Sequence, residues 1–414
     1  MVDKGQPHVG QHRHWLMVVG PGLLVMLADN DAGSLITEAK IGSQWGYKFL
    51  ALQFLLIPVL YLIQELCVRL GLVTGKGFGE LIRDRFGLGW AWLSAATLAI
   101  TCIGALIAQL SGIAGVAALI GLSAPVVVAT VIGLILLMVW TGSYASVERI
   151  AIAFGLFELA FIMVAWRAGA HAHQILRELD LVPLGNPKLS YMVAANLGAV
   201  IIPWMIYYQQ SAVIDKGLQL RDLKIARIDT AIGAVITQVI SAAVIITTAA
   251  TLHQASPNTP LNDVPQIAHA ITPFLGDTVG RLVFAAGMVG AAFVATVVVC
   301  LAAAWGIGEV AGFKRSLEHE PLEAPWFYSV FSLCLIGSGL VVLSGVNLVD
   351  LSIGVEVMNA LLLPIVLGFL FLLAAKALPE PHLLKGVYGW VAGIVFAVTA
   401  GLGAFGGLYG VFGG

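Results

Sequence analysis

The chain has 414 residues, 59% hydrophobic and 11% charged, with 21 Lys and Arg against 23 Asp and Glu for a formal net charge of −2. Soluble domains are nearer half apolar and a quarter charged. This composition therefore excludes a soluble enzyme, a disordered scaffold and a nucleic-acid binder, the last also because no basic stripe exists to hold phosphates. What remains is an all-α polytopic membrane protein. Its long Leu/Val/Ile/Ala/Gly runs suit helices of about 20 apolar residues, where a barrel would show alternating segments of about 10.

Residues 1–14, with His8, His12, Arg13 and His14, read as a solvated N-terminal tail with no cleavable signal. Eleven transmembrane helices follow, near 15–37, 47–71, 90–121, 124–142, 148–169, 191–214, 229–252, 280–311, 327–345, 349–376 and 387–412. The loops are short, so no separate catalytic or regulatory domain is expected and the protein is read as no enzyme. With the N-terminus cytoplasmic, 15 of the 21 Lys and Arg fall on the inner side, as the positive-inside rule requires. An odd span count then puts the C-terminus outside, and the expected location is a bacterial inner (plasma) membrane. Cys67, Cys102, Cys300 and Cys334 stand singly in apolar runs and read as small buried residues.

Intramembrane carboxylates are expensive and are functional candidates by default. Span 1 carries Ala28-Asp29-Asn30-Asp31-Ala32-Gly33-Ser34 in the middle of its apolar run. Asp, Asn, Gly and Ser are weak helix formers. Together they predict a break that frees carbonyls, and a break is tolerated in a bilayer only where it lines a cavity. Carboxylates with free carbonyls are hard oxygen ligands suited to a cation. In span 6, Pro203 lacks an N–H and displaces the turn before it, which frees a carbonyl, most simply that of Ala199. Gln209 and Gln210 follow within two turns. Spans 1 and 6 are five apart, and paired broken helices mark the binding site of inverted-repeat transporters. The predicted organisation is thus a first repeat over 15–169 (helices 1–5), a second over 170–376 (helices 6–10), and helix 11 in 377–414. In span 10, Glu356 and Asn359 share a helix face at i, i+3 spacing and read as cavity-facing. Glu65, Glu158 and Glu309 read as structural ion pairs or interfacial groups. The GxGxxG pattern of Gly401–Gly406 lies inside span 11 with no strand before it, so it packs helices and binds no nucleotide.

At these residues the sequence resembles the Nramp family of divalent-metal transporters. The stretch from Gly20-Pro21-Gly22 to Gly46-Tyr47-Lys48 looks like the family's first helix, and Leu70 to Gly87 (LGLVTGKGFGELIRDRFG) is similar to the family's LGIVTGKDLAELCRERY. Gly198-Ala199, Pro203 and Tyr207 follow its sixth helix, and Arg227 with Asp229 fits the start of the next. The resemblance implies a LeuT-type fold, an inverted 5+5 repeat with the ion held between broken helices 1 and 6. It places a metal site at Asp31, Ser34, Ala199, Ile202 and Glu356, with Asp29 a further candidate. Asn30, Pro203, Trp204, Gln209 and Asn359 lie near it.

The departures from the family pattern bear on substrate. The family's DPGN is here Asp31-Ala32-Gly33-Ser34, its span-6 methionine falls on Ile202, and its span-10 glutamine on Glu356. Thioether sulfur selects soft transition metals; Ile202 has no lone pair, and Glu356 supplies a hard anion. Mg²⁺ keeps several waters and takes one or two carboxylates. The pattern is most like the Nramp-related magnesium transporters, and the expected transported ion is partly hydrated Mg²⁺, with Mn²⁺ also carried. Positions used for proton movement fall on Gln109, Trp204 and Gln209, which do not titrate near neutral pH, so uptake without proton coupling is expected. The alternatives are a proton-coupled Mn²⁺/Fe²⁺ transporter of the same family and a LeuT-fold amino-acid or organic-cation transporter. No cofactor, nucleic acid, nucleotide or obligate protein partner is expected; the partners are the cation and the lipid bilayer.

Overall fold

The structure is a computed structural model that describes residues 18–170, 172–178, 186–253, 261, 263–272, 275–344 and 348–412. The tail predicted over residues 1–14 lies outside the described residues. Regular structure among the described residues is entirely helical. Span 1 is split into α1 (Pro21–Leu27) and α2 (Ala32–Trp45), followed by α3 (Leu50–Thr74), α4 (Phe78–Phe86), α5 (Leu88–Leu119) and α6 (Ala124–Thr141). Span 5 runs through α7 (Tyr144–Gly155), a 3₁₀ turn (Leu156–Leu159) and α8 (Ala160–Arg167), and a short α9 (Ala172–Glu178) follows. Span 6 is split into α10 (Pro187–Val200) and α11 (Pro203–Asp215). The rest are α12 (Leu223–Thr248), α13 (Val264–Ile271), α14 (Asp277–Ala311), α15 (Pro325–Val342), α16 (Leu348–Lys376) and α17 (Gly386–Phe412).

Ten helical segments among the described residues are long and apolar enough to cross a membrane. The eleventh expected span is the first, whose halves of 7 and 14 residues are each too short to be counted. The short helices α4, α9 and α13 were not anticipated. They occupy connections that the apolar pattern leaves blank, and α4 places Glu80 in its first turn and Arg83 and Arg85 in its last, matching the helix dipole.

Span 6 forms the centre, with 94% of its most apolar stretch buried, whereas α6 is peripheral at 17%. Span 1 is also central, and α12 runs beside it along its whole length. Thr230 meets Gly22, Gly233 meets Met26, Thr237 reaches Asp29, Ser241 reaches Asn30, and Ile245 with Thr248 meet Gly42. These α12 residues recur every three or four positions, so they line one helix face. Small side chains there let the helices approach closely, and the hydroxyls bond across them.

Charged pairs gather at one end of the bundle. Glu65 binds Arg69 at 2.6 Å and Arg227 at 2.6 Å. Glu309 accepts from Gly79 N at 2.8 Å and Ser211 Oγ at 2.5 Å and lies 3.7 Å from Arg315, which also pairs with Glu80. Glu65 and Glu309 are therefore structural ion pairs, as expected. Glu158 is different. It is fully buried, and no Lys or Arg pairs with it among the described residues. It sits mid-span, where long basic side chains are too costly to place.

Candidate metal site

The break in span 1 is a helix start. Asp31 is the N-cap of α2, with extended backbone at φ −69° and ψ 175°, and its Oδ1 accepts from Ser34 N at 2.7 Å. This is the standard role of Asp at an N-cap, and it explains why Asp-x-x-Ser interrupts an apolar helix. α1 ends at Leu27, so Ala28, Asp29 and Asn30 bridge the two halves outside either helix.

The break in span 6 follows from Pro203. α10 stops at Val200, Ile201 and Ile202 are extended, and Pro203 takes the first position of α11, where a missing N–H costs nothing. The Ala199 carbonyl would have bonded to residue 203 and instead accepts from Ser34 Oγ at 3.1 Å. One hydrogen bond thus ties the two breaks together.

Gln109 of α5 completes the arrangement. Its Nε2 donates to Asp31 Oδ2 at 2.6 Å, and its Oε1 accepts from Ala32 N at 2.8 Å. Sequence reasoning assigned this position only as a lost proton relay. In the structure it fixes the orientation of the Asp31 carboxylate and satisfies one of the orphan donors at the start of α2.

Glu356 enters from α16. It is 1% exposed, and its Oε2 accepts from Asn359 Nδ2 at 2.9 Å, the predicted i, i+3 pair. Gly33 lies between the two acids: a methyl there would collide with Glu356 Oε1 and lie 3.3 Å from Asp31 Oδ1. The two carboxylate oxygens are therefore no more than about 6 Å apart, close enough for one cation to reach both. A methyl on Gly198 would run into the Glu356 backbone carbonyl, so a glycine in α10 is what lets α16 approach the break. Neither glycine was marked as a site residue, because a close approach between helices leaves no sign in one sequence.

The remaining candidates divide. Asp29 turns to α12, with Oδ2 3.5 Å from Thr237 Oγ1, and Asn30 Oδ1 accepts from Ser241 Oγ at 3.0 Å. Ile202 and Trp204 are buried beside Pro203. Gln209 is not brought to Asp31. Six residues past Pro203 is about 9 Å along a helix, and its amide reaches Thr230 Oγ1 at 3.4 Å, near the start of α1. Glu38 of α2, also 1% exposed, was missed altogether. It lies one residue beyond the predicted end of span 1 at 37, whereas the helix runs on to Trp45 and keeps it inside.

The donors at Asp31 and Glu356 are all oxygen, and neither acid has an ion pair to Lys or Arg among the described residues. No three Asp, Glu, His or Cys side chains converge as a closed metal cage among those residues. Such a site suits a weakly held, partly hydrated cation better than a structural metal.

The start of α1 is held down separately. Asp229 Oδ2 accepts from Gly22 N at 2.8 Å and Gly20 N at 3.2 Å, and Lys216 Nζ donates to Val19 O at 2.8 Å while pairing with Glu148 at 2.7 Å. At the far end of the bundle Lys40 of α2 lies 3.6 Å from Asp350 of α16.

Two helices broken at their centres, facing each other across buried carboxylates, define a membrane transporter of the LeuT-type fold. The fold is shared with the manganese transporter of Eremococcus coleocola, at TM-score 0.76 and 17% identity over 100% of this chain and 91% of that one. It is shared also with MhsT in complex with L-phenylalanine, at TM-score 0.65 and 15% identity over 95% and 98%. The family model described as "Natural resistance-associated macrophage protein-like" matches residues 22–407. The chain belongs to the Nramp family, a family of membrane transporters and not of enzymes. It is 25% identical over 391 residues to the divalent metal cation transporter MntH of Klebsiella pneumoniae, covering 93% of this chain and 91% of that protein. With MntH of Brucella suis it is 27% identical over 292 residues, covering 66% and 62%.

Proposed function

We propose that the chain carries a divalent metal cation into the cell, bound partly hydrated between Asp31 and Glu356 at the junction of the two broken spans. The observation that carries this reading is the pair of buried carboxylates facing each other across Gly33, with no basic partner among the described residues. Relatives named as divalent metal cation and manganese transporters support the substrate class. Mg²⁺ is the main substrate, with Mn²⁺ also accepted. Two carboxylates and hard neutral oxygens suit Mg²⁺, and Ile202 offers no soft donor where sulfur would favour transition metals.

Transport is uncoupled from protons. The partners that hold Asp31 are the Gln109 amide and a backbone N–H, neither of which titrates near neutral pH. An inside-negative potential supplies about 2.3 kcal/mol per charge per 100 mV, and twice that for a divalent ion. The N-terminus is cytoplasmic, a reading the Lys/Arg asymmetry supports, and the bacterial inner membrane is the location that the bacterial MntH relatives support. The latch of Asp229 and Lys216 on α1 then closes the cytoplasmic side. Uptake of Mg²⁺, Mn²⁺, Ca²⁺ and Cd²⁺ into proteoliposomes tests the reading: Mg²⁺ and Mn²⁺ enter and Cd²⁺ competes poorly. Efficient Cd²⁺ transport with a steep pH dependence would favour the proton-coupled Mn²⁺/Fe²⁺ alternative instead.

A further inference from the structure

The break in span 1 has a second polar face. Asp31 looks toward α5 and α16, while Asn30 looks the other way, toward α12 and span 5. Gly155 of α7 packs directly on Leu27 of α1. Glu158, three residues further on, lies on the same side of span 5 and so meets the next part of span 1, where its carboxylate faces the Asn30 amide. Glu38 of α2 reaches the same place from the other half of the break, and its carboxylate faces Ser241 of α12. Ser241 is the residue that donates to Asn30 Oδ1 at 3.0 Å.

These groups are buried without completing their bonds. Among the described residues both oxygens of Glu158, Oε2 of Glu38 and Oδ1 of Asp29 have no hydrogen bond of full geometry, at exposures of 0%, 1% and 3% respectively, and the neutral Asn30 amide and Ser241 hydroxyl are the polar groups closest to the first two. Carboxylates buried like this are kept charged only by a cation. Among the described residues no Lys or Arg pairs with them, whereas Glu65, Glu309 and Glu148 each have one. The open acceptors are all hard oxygens, with no sulfur or imidazole among them.

We propose that Glu38 and Glu158, with Asn30 and Ser241 beside them, form a second binding position for a hydrated divalent cation, on the opposite face of the span 1 break from Asp31. The inference rests on the divalent-cation reading above. Two carboxylates are what Mg²⁺ needs when it keeps most of its waters, and a second ion beside the first lowers the hold on either by mutual repulsion, as multi-site conduction requires.

The test is equilibrium dialysis of the detergent-purified full-length protein against Mn²⁺ alone, with bound ions counted per chain. The expected result is two Mn²⁺ for the unaltered chain and one for Glu158→Gln, for Glu38→Gln and for Asp31→Ala. The single ion kept by each variant also reports that the fold survives. One Mn²⁺ per unaltered chain, lost in Asp31→Ala but kept in Glu158→Gln, overturns the second site while leaving the proposed function standing; the acids then carry protons only. Loss of both ions in Glu158→Gln and in Glu38→Gln overturns it too, since the positions would not be separate. No bound Mn²⁺ at all overturns both readings.

Discussion

Replacing Glu356 with glutamine isolates the charge that distinguishes this site, because the amide oxygen still accepts from Asn359 and the side-chain volume is unchanged. With an effective dielectric constant of about 20, a divalent ion about 5 Å from a carboxylate is attracted by about 6–7 kcal/mol. The repulsion between Glu356 and Asp31 is present with and without the ion and cancels from the binding difference, while the glutamine amide oxygen keeps part of the attraction as a neutral ligand. The loss is therefore at most about 6–7 kcal/mol, and the Kd for Mg²⁺ should weaken by at least about two orders of magnitude. Calorimetric titration of purified Glu356→Gln with Mg²⁺ measures this directly, and the KM for uptake should move in parallel. A Kd within threefold of the unaltered protein would refute the placement of Glu356 at the ion.

Ile202→Met supplies a soft donor beside Pro203 and should raise Cd²⁺ affinity at least tenfold relative to Mg²⁺ in competition uptake; an indifferent Cd²⁺ response means that position 202 does not face the ion. Gly198→Ala forces a methyl against the Glu356 carbonyl. Overpacking of that kind costs about 1–3 kcal/mol, so thermal unfolding should shift down and Mg²⁺ binding weaken together. Asp229→Asn weakens two charge-assisted bonds to the start of α1. Such bonds contribute about 1.5–3 kcal/mol each, so a cysteine placed in the inner half of the pathway should label faster in the variant; an unchanged rate would mean that Asp229 does not hold the closed state.

Much of the fold was legible because the bilayer constrains it. Once apolar runs of span length were marked, the polar interruptions at Asp29 to Ser34, the Pro203 turn and Glu356 stood out, and the structure brings these three together. The N-cap behaviour of Asp31 and the loss of the Ala199 partner follow from local chemistry, so they could be read residue by residue. What escaped were relations between helices. Gln109 reads as an inert replacement until α5 is seen to place its amide on Asp31. Gly33 and Gly198 carry no side chain to signal that Glu356 passes beside them. Glu158 reads as a structural ion pair or an interfacial group, and only the packing of Gly155 on Leu27 shows that it faces span 1 instead. Gln209 errs the other way: it is close to the break in sequence, but the helix carries it a turn and a half beyond.

The central claim is that a divalent cation crosses at Asp31 and Glu356 without protons. It is tested most directly by Mg²⁺ uptake into proteoliposomes under an inside-negative potassium diffusion potential, with internal Mg²⁺ and internal pH recorded together. The account predicts Mg²⁺ accumulation at constant internal pH, abolished by Asp31→Ala. Acidification that tracks Mg²⁺ uptake, or uptake that survives Asp31→Ala, would contradict it.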